Sequence, residues 1–151
     1  MSKAEQARQN FLSGYNCAQS VLCAFEKECG LDHETALKLA SGFGGGMARM
    51  REVCGTVSGM FMAADLIFGP SDLSDKAAKD AHYARLQKLA AEFRKETGSI
   101  ICRVMLGLDK TGPDVPVSEP RTEGYYRKRP CADLCALAAG ILENYLKHEL
   151  S

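Results

Sequence analysis

Apolar residues recur at helical spacing along nearly the whole chain, and this pattern constrains the fold more than any other feature. In one segment, Ala18, Val21, Leu22, Phe25 and Cys29 fall on a single face of a helix. No run of residues alternates between apolar and polar in the way that predicts a half-buried strand. The sequence therefore predicts an all-α fold. We expect helices over residues 3–13, 16–29, 32–41, 52–68, 74–97, 102–105 and 130–148.

The predicted helix boundaries coincide with residues that commonly start or stop helices. Gly30 is expected to end the second helix, Asp32 to cap the third, and Pro130 to open the last. Because 151 residues are enough to bury one core, we expect a single helical domain, 1–151, built as a bundle of about five to seven helices. Residues 108–129 hold three of the five prolines and have no periodicity, so one long Pro-rich loop or lid is expected there.

The charge balance and the ends of the chain exclude several classes of protein. There are 19 Lys and Arg residues against 19 Asp and Glu residues. A general nucleic-acid-binding protein needs a basic face, so this class is excluded. No apolar run is long enough to cross a bilayer, and the start, MSKAEQARQN, lacks the apolar stretch of a secretory signal. We therefore expect a cytoplasmic protein with no membrane insertion and no nucleic-acid partner, and a homo-oligomer stays open.

Seven cysteines are a high number for a chain of this length. In a reducing compartment cysteines are more often metal ligands, catalytic thiols or buried side chains than stable disulfides. At a helix N-terminus, unpaired N–H groups and the positive end of the helix dipole stabilise a thiolate, so a lowered pKa is expected there. Only the fold could gather residues so far apart in sequence. Four cysteines fall at predicted helix N-termini: Cys17, Cys54, Cys102 and Cys131.

The other three cysteines point more strongly to packing. Cys23 and Cys29 lie inside or at the end of the second predicted helix, where a small apolar side chain is the favoured interpretation. Cys135 follows Cys131 by four residues and lies on the same helix face. Packing is favoured for Cys135 too, with a resolving thiol or an extra ligand as the alternatives.

The stretch GFGGGMARMREVCGTVSG, residues 42–59, surrounds one of the four thiols. It lacks the Gly-Lys-Ser/Thr of a P-loop and the glycine spacing of a dinucleotide site. The glycines are expected to adopt positive φ and to allow close backbone approach, which makes Cys54 the thiol expected to be most activated. The two arginines either pair with carboxylates or solvent, or supply positive charge near Cys54. The predicted cofactor-binding residues are Gly44, Gly45, Gly46 and Arg49.

Four motifs, taken in order, resemble a known family. They are GYNCAQSVL at 14–22, FGGGM with EVCGTVSG at 43–59, CRVMLG at 102–107 and RPC at 129–131. These are similar to the redox-active proteins named for the pattern C-GCAxxG-C-C, over nearly the entire chain. The chain departs from the family pattern at Thr56, where Ala is usual, and at Ala48, where Gly is expected. The resemblance implies redox activity without a stated substrate, and its four characteristic cysteines would be Cys17, Cys54, Cys102 and Cys131.

Three functions are compatible with these features. In the first, Cys54, Cys17, Cys102 and Cys131 form a redox site that cycles between dithiol and disulfide or ligates an iron–sulfur cluster. In the second, the same four cysteines hold a structural zinc ion, although the close ligand pairs typical of such sites are missing. In the third, the glycine loop and 108–129 form a non-catalytic mouth for a small ligand. The cofactor is therefore a cluster, zinc or none, and a thiol-based oxidoreductase or electron carrier would act on an unidentified redox partner.

General acid–base chemistry has little support. His33, His82 and His148 are far apart in sequence. His82 falls on the apolar face of a predicted helix and is expected to be a core residue with its hydrogen bonds satisfied. Asp65 interrupts an apolar run, and whether it faces the site or caps a neighbour stays open.

Overall fold

A computed structural model of the chain describes residues 1–108 and 112–150 and confirms the all-α prediction. In these residues the only strand-like contact is a single antiparallel bridge between Val53 and Ile101. None of the described helices has both the length and the apolar content that crossing a membrane requires. The helices are α1 (Lys3–Leu12), α2 (Cys17–Ala24), α3 (Glu26–Cys29), α4 (His33–Leu39), α5 (Gly55–Phe68), α6 (Lys76–Thr97), α7 (Cys102–Met105), α8 (Glu123–Lys128) and α9 (Cys131–Leu150).

Helices α1, α2, α5 and α9 form the centre of the bundle. The first and last of them, α1 and α9, pack along each other, α2 packs against α1 and α5, and α6 contacts α5 and α9. Each buried side chain of the size of Leu or Phe stabilises the fold by about 1.5–3 kcal/mol relative to an exposed one. The facing sides of these helices bury Phe11, Leu22, Val57, Met60 and Leu142.

Small residues let α2 and α5 approach each other closely. A Cβ atom on Gly59 would lie only 2.6 Å from the carbonyl oxygen of Ala18. A Cβ atom on Gly55 would lie 3.0 Å from the Cβ atom of Cys17. Both distances are shorter than a van der Waals contact, so larger residues would push the N-terminus of α5 away from that of α2.

Side-chain caps determine where the helices begin. Asn16 accepts a hydrogen bond from the backbone N–H of Gln19, whose side chain accepts one from the N–H of Asn16. This capping box starts α2 at Cys17. Asp32 caps α4 as predicted, accepting from the N–H of Thr35 at 3.1 Å. Each such cap is worth about 1 kcal/mol.

Two of the predicted boundaries are wrong. The helix expected over 16–29 is interrupted at Phe25, where ψ is 17°, and continues as α3. The stretch 108–129, expected to be irregular, contains α8 near its end, capped by Thr122. The rest of that stretch has no further helix in the part that is described, and 109–111 lie outside the described residues. Together α3 and α8 raise the number of helices to nine in the described residues; a six-residue helix is too short for apolar periodicity to reveal.

A satisfied polar cluster, the His82 cluster (Asp65, His82, Arg85 and Tyr145), joins α5, α6 and α9. The Nε2 atom of His82 lies 2.7 Å from Oδ1 of Asp65, and its Nδ1 atom lies 2.7 Å from Nη1 of Arg85. Because a guanidinium group can only donate, Nδ1 accepts and Nε2–H donates to Asp65. Arg85 also donates to the hydroxyl of Tyr145 at 3.0 Å. His82 is therefore a satisfied core residue, as predicted, and Asp65 is its partner.

Candidate four-cysteine site

All four cysteines predicted at helix N-termini line one cavity of about 370 Å³, the four-cysteine cavity. Cys17, Cys102 and Cys131 are the first residues of α2, α7 and α9, and Cys54 immediately precedes α5. Cys54 is 4 % exposed, and Cys102 and Cys131 are each 8 % exposed. The fold therefore directs four helix starts at one buried place, which is the condition that the sequence required.

The antiparallel bridge brings Cys54 and Cys102 together. The N–H of Cys54 donates to the carbonyl oxygen of Ile100 at 2.7 Å, and the N–H of Cys102 donates to that of Glu52 at 2.6 Å. These bonds hold the segment before α5 against the segment before α7. The first turns of both helices are thereby fixed beside each other at the cavity.

Cys17 and Cys131 form a second pair where α2 meets α9. Each of these two thiols shifts the pKa of the other, so they lie close together on the cavity wall. Cys135, one turn further along α9, is fully buried, and its Sγ atom lies 3.9 Å from the carbonyl oxygen of Cys17. Cys135 therefore packs in the core, as favoured, and also touches the site, so its role as a resolving thiol or extra ligand stays open.

Residues 45–49 and 51 have left-handed backbone and form a segment along the cavity. Its two glycines have φ of +66° and +71°, but four residues with side chains are left-handed as well. This conformation costs about 1–2 kcal/mol for each residue that carries a Cβ atom, so the surrounding structure must stabilise it. Backbone bonds contribute: the N–H of Ala48 donates to Gly42 at 2.8 Å, and that of Glu52 donates to Gly46 at 2.9 Å. The four residues are Met47, Ala48, Arg49 and Arg51.

The glycines next to this segment allow close approach for different reasons. Gly46 combines positive φ with proximity, because a Cβ atom there would lie 2.6 Å from the Cβ atom of Cys102. Gly44 does not have positive φ, so that part of the prediction is wrong for it. It is needed because a Cβ atom there would lie 2.7 Å from the Cβ atom of Asn16, the residue that caps α2. Both glycines, with Gly45, line the cavity.

The buried Arg51 side chain contacts Cys102 rather than Cys54. Its Nη1 atom donates to the Sγ atom of Cys102 at 3.7 Å, and its Nε atom donates to Asp114 at 2.8 Å. The sequence left two interpretations of Arg51 open, and pairing with a carboxylate is the one that the structure confirms. The alternative, positive charge beside Cys54, is wrong, because the N–H of Arg103 donates to the carbonyl oxygen of Arg51 and holds Arg51 against the start of α7.

Positive charge predominates in the cavity wall. Arg49 and Arg129 both reach the carboxylate of Glu119, at 3.6 Å and 2.5 Å. Arg121 instead donates to the main-chain oxygens of Phe11 and Tyr15, at 3.1 Å and 2.9 Å. The charged residues that line the cavity are Arg49, Arg51, Arg121, Arg129 and Glu119.

The two tyrosines of YYRKR pack on the core. The rings of Tyr125 and Tyr126 lie 6.3 Å and 6.0 Å from that of Phe11, and Arg121 lies over the Phe11 ring at 4.4 Å. The interpretation that these tyrosines pack on the core is confirmed. Tyr125 also lines the cavity, so an aromatic face adjoins the basic groups there.

A comparison with known families decides what the chain is related to. A family model described as "Putative redox-active protein (C_GCAxxG_C_C)" matches residues 15–145. The chain belongs to this family. The match spans all four cysteines of the cavity and confirms the resemblance drawn from the motifs. No curated protein and no solved structure matches the chain.

The thiols of this C_GCAxxG_C_C protein do not have the lowered pKa values expected from their helix positions. Burial raises the pKa of Cys54 to about 11. Burial also raises the pKa of Cys102, although Arg51 acts in the opposite direction. Interaction with Cys17 and burial raise the pKa of Cys131. For Cys17, interaction with Cys131 lowers the pKa, but interaction with Cys135 and burial together raise it further. The expectation is wrong because it ignored the cost of removing four charged sulfurs from water.

The spacing of the four sulfurs is wider than a single metal ion requires. All seven cysteines lie in the described residues and are free thiols. Around one Zn²⁺ ion, each sulfur lies about 2.3 Å from the metal, so the sulfurs lie within about 4 Å of one another. In the described part of this family member, no three of the four cavity sulfurs lie within 4.8 Å of one another. The four sulfurs therefore have room for a group larger than one ion, and they must move closer together to hold a single ion.

The two remaining cysteines lie elsewhere and differ from each other. The Sγ atom of Cys29 donates to the carbonyl oxygen of Ala63 at 3.6 Å, which fits the predicted packing. Cys23 is half-buried, and burial followed by interaction with Glu26 raises its pKa to about 12. Cys23 thus has a polar neighbour that the packing interpretation did not include.

Sequence reasoning missed three contributors to the site in this family member. They are the contact of Arg51 with Cys102, the stacking of Arg121 on Phe11 and the left-handed backbone. Only the last had a sequence signal, the run of three glycines, and that signal did not extend to the residues with side chains. The two arginine contacts depend on how distant segments meet.

Proposed function

We propose that this protein is an electron-transfer protein in which Cys17, Cys54, Cys102 and Cys131 ligate an iron–sulfur cluster. The observation that carries the proposal is the convergence of these four side chains, each from the start of a different helix, on one buried cavity with a predominantly positive wall. Four cysteine thiolates are the usual ligand set of such clusters.

The spacing and the charge of the cavity support a cluster over one ion. The four sulfurs are too far apart for a single zinc ion without movement, whereas a cluster separates its ligands more widely. Four thiolates introduce negative charge into a buried place. Arg51, which is 5 % exposed, and Arg121 are positioned to offset that charge.

The raised pKa values fit ligation better than attack by a free thiolate. In the metal-free protein the thiols of Cys54 and Cys102 hold their protons at neutral pH, since burial raises both pKa values. A bound cation replaces those protons, so loading is accompanied by proton release. The unpaired N–H groups of the helix starts then face the thiolate sulfurs and stabilise their charge.

When bound, the cluster supplies a centre that gains and loses single electrons. The chain supplies the surroundings that set its potential. Arg51 donates to the Sγ atom of Cys102, and such a hydrogen bond favours the more negatively charged, reduced state. Burial of the cavity cysteines limits the access of water to the centre.

A second candidate function, thiol–disulfide exchange, is favoured by the position of Cys17 and Cys131 on the same cavity wall, where each thiol shifts the pKa of the other. In that reaction these two thiols lose two electrons and two protons and form one S–S bond, while a disulfide of the redox partner gains them and becomes two thiols. The raised pKa of Cys131 and its burial make it a slow nucleophile. We therefore rank exchange second. Both functions are compatible with a cytoplasmic protein, in which free thiols persist.

The test is anaerobic purification followed by an absorption spectrum and analysis of iron, acid-labile sulfide and zinc on the same sample. We expect visible charge-transfer bands, with iron and sulfide bound, in the wild-type protein and in Cys29→Ala. The Cys102→Ala variant should lose the visible bands and the bound iron and sulfide. Cys29 is a matched control because it is a partly buried cysteine that does not line the cavity.

A wild-type protein that stays free of iron and colour, even after incubation with iron and sulfide under reducing conditions, would contradict the cluster. Bound zinc without iron would favour the structural metal site instead. If mild oxidation then joins Cys17 to Cys131 in a disulfide that mass spectrometry detects, the exchange function is supported. If all thiols stay free and the cavity still binds a small ligand, the non-catalytic binding module is supported.

A further inference from the structure

A second group of metal-binding side chains lies outside the four-cysteine cavity. Cys23 is on α2, Glu26 begins α3 and His33 begins α4. Their ligand atoms, a thiol sulfur, a carboxylate oxygen and a ring nitrogen, all lie within 4.8 Å of one another. We propose that Cys23, Glu26 and His33 form a second metal site that binds one Zn²⁺ ion.

The local fold positions these three side chains. The break at Phe25 starts α3 at Glu26, which places a carboxylate oxygen within 4.8 Å of the Sγ atom of Cys23. Asp32 caps α4 and so starts that helix at His33. The Nδ1 atom of His33 then lies 2.5 Å from Oε1 of Glu26. The arrangement therefore depends on helix boundaries rather than on chance contacts of long side chains.

Tyr15 orients the histidine ring. Its hydroxyl group lies 3.2 Å from Nε2 of His33, and the two ring centroids are 5.9 Å apart. A histidine that binds metal through one nitrogen usually donates from the other to a fixed oxygen, which sets the tautomer. Without metal, the Nδ1–H group of His33 donates to the carboxylate of Glu26, because a carboxylate can only accept, and Nε2 faces the hydroxyl of Tyr15. A metal ion would displace the Nδ1 proton and move the ring and the carboxylate apart from their 2.5 Å separation, and Nε2–H would then donate to Tyr15.

The donor set and the surroundings indicate the class of metal. Zn²⁺ accepts sulfur, nitrogen and oxygen ligands together, whereas Mg²⁺ and Ca²⁺ prefer oxygen alone. Three protein ligands leave one position of a tetrahedral ion open, as in zinc sites that hold a water molecule. That position would face a shallow depression of about 330 Å³, which the polar residues Gln6, Gln9 and Asn10 also border.

This site is independent of the proposed cluster. None of its three ligands lines the four-cysteine cavity. In the described residues, only these three ligand atoms form a group of three within 4.8 Å of one another, and the cavity sulfurs form no such group. The two sites are therefore expected to take different metals and to be lost in different variants.

The experiment is a Co²⁺ titration of the full chain, reduced and stripped of metal with a chelator under anaerobic conditions. Co²⁺ substitutes for Zn²⁺ and gives a thiolate charge-transfer band. We expect the wild type and Cys29→Ala to bind one more Co²⁺ equivalent than Cys23→Ser. Glu26→Gln and Tyr15→Phe should bind this ion about 10–100-fold more weakly, with added Zn²⁺ displacing the Co²⁺ in each case.

Cys102→Ala, which lacks a ligand of the cavity, should keep the Cys23-dependent band, so failure of the proposed cluster cannot produce this result. Equal Co²⁺ stoichiometry and equal spectra for the wild type and Cys23→Ser would overturn the proposal. Because Glu26 is partly exposed, Glu26→Gln is expected to fold in any case. Unchanged Co²⁺ affinity in that variant would overturn the proposal as well.

Discussion

Two polar groups pack against the same helical core and are built in opposite ways. In the His82 cluster each donor has an acceptor, and all four members lie on ordinary right-handed helices. In the four-cysteine cavity the thiols are buried, their pKa values are raised, and part of the wall is left-handed backbone. The first arrangement is complete by itself. In the proposed function, the second is completed by a bound cluster whose thiolate ligands face the arginines of the wall.

This difference distinguishes a polar group that stabilises the fold from a polar group that we propose has a function. A satisfied buried network stabilises one fold and needs nothing more. Four residues with side chains in left-handed backbone cost about 1–2 kcal/mol each. Unfavourable conformations of this kind concentrate at functional sites. The following predictions test this separation.

The substitution Gly46→Ala is expected to have the largest effect. It combines φ of +71° with a Cβ atom 2.6 Å from that of Cys102, so we expect a loss of about 2–5 kcal/mol in the free energy of unfolding. Gly30→Ala is the matched control, since φ there is +67° with nothing within 4 Å, and it should lose about 1–2 kcal/mol. Urea unfolding of both variants measures the difference. Equal losses would mean that the contact with Cys102 does not constrain the fold.

Alkaline pH should destabilise the reduced, metal-free protein. The pKa of Cys54 is about 11 in the folded state against 9.0 ordinarily, so the folded state keeps a proton that the unfolded state loses. This contribution to stability is therefore fully present below pH 9 and is lost as pH rises toward 11. The loss is about 1.4 kcal/mol per pH unit, or about 3 kcal/mol over this range.

Urea unfolding at several pH values between 8 and 11 measures this dependence. Cys54→Ala removes the titrating group and should show a shallower fall in stability with pH. If the stability of the wild type and of Cys54→Ala depends on pH in the same way, burial does not raise the pKa of the Cys54 thiol. The metal-loaded protein should lack this contribution, because its thiolates carry no proton.

Breaking the His82 cluster should destabilise the fold without affecting the cavity. His82→Phe removes the acceptor of Arg85 and the donor to Asp65, so we expect a loss of about 2 kcal/mol. The iron content and the visible spectrum per folded molecule should not change. A variant that folds yet loses the bound metal would show that the two polar groups are coupled.

The smallest effect is expected for Asp65→Asn. The side chain of Asp65 is 56 % exposed, and an amide oxygen still accepts from the Nε2–H group of His82. We expect a change of less than about 0.5 kcal/mol in the free energy of unfolding at pH 7, measured beside His82→Phe. A loss well above about 1 kcal/mol would instead indicate an ion pair with a doubly protonated His82, which contradicts the tautomer assigned from Arg85.

How much of the site could be predicted depends on whether each interaction joins residues that are near or distant in the sequence. The helix starts at Cys17, Cys102 and Cys131 were predictable because they depend on local signals, such as the Asn16 cap and Pro130. The short α8 was not predictable, because six residues make fewer than two helical turns and an apolar pattern cannot repeat within them. Local rules thus located the thiols without describing their surroundings.

The chemistry of the thiols was harder to predict than their position. The helix dipole is a local effect and favours a lowered pKa, but burial by α2, α5 and α9 is a tertiary effect and outweighs it at Cys54. Which thiol receives a cation also depends on distant segments, since Arg51 reaches Cys102 across the bridge. Left-handed φ at Arg49 and Arg51 has no local preference to signal it.

The distribution of the four cysteines along the chain has a consequence for synthesis in the cell. Cys131, which lines the cavity with Cys17, is translated long after Cys17. At roughly 5–20 residues per second, these two events are separated by on the order of ten seconds. During this interval the early thiols have no enclosing wall, and α1 has no α9 to pack against. In the proposed function, a cluster held by all four cysteines can therefore be completed only after Cys131 and α9 have been translated.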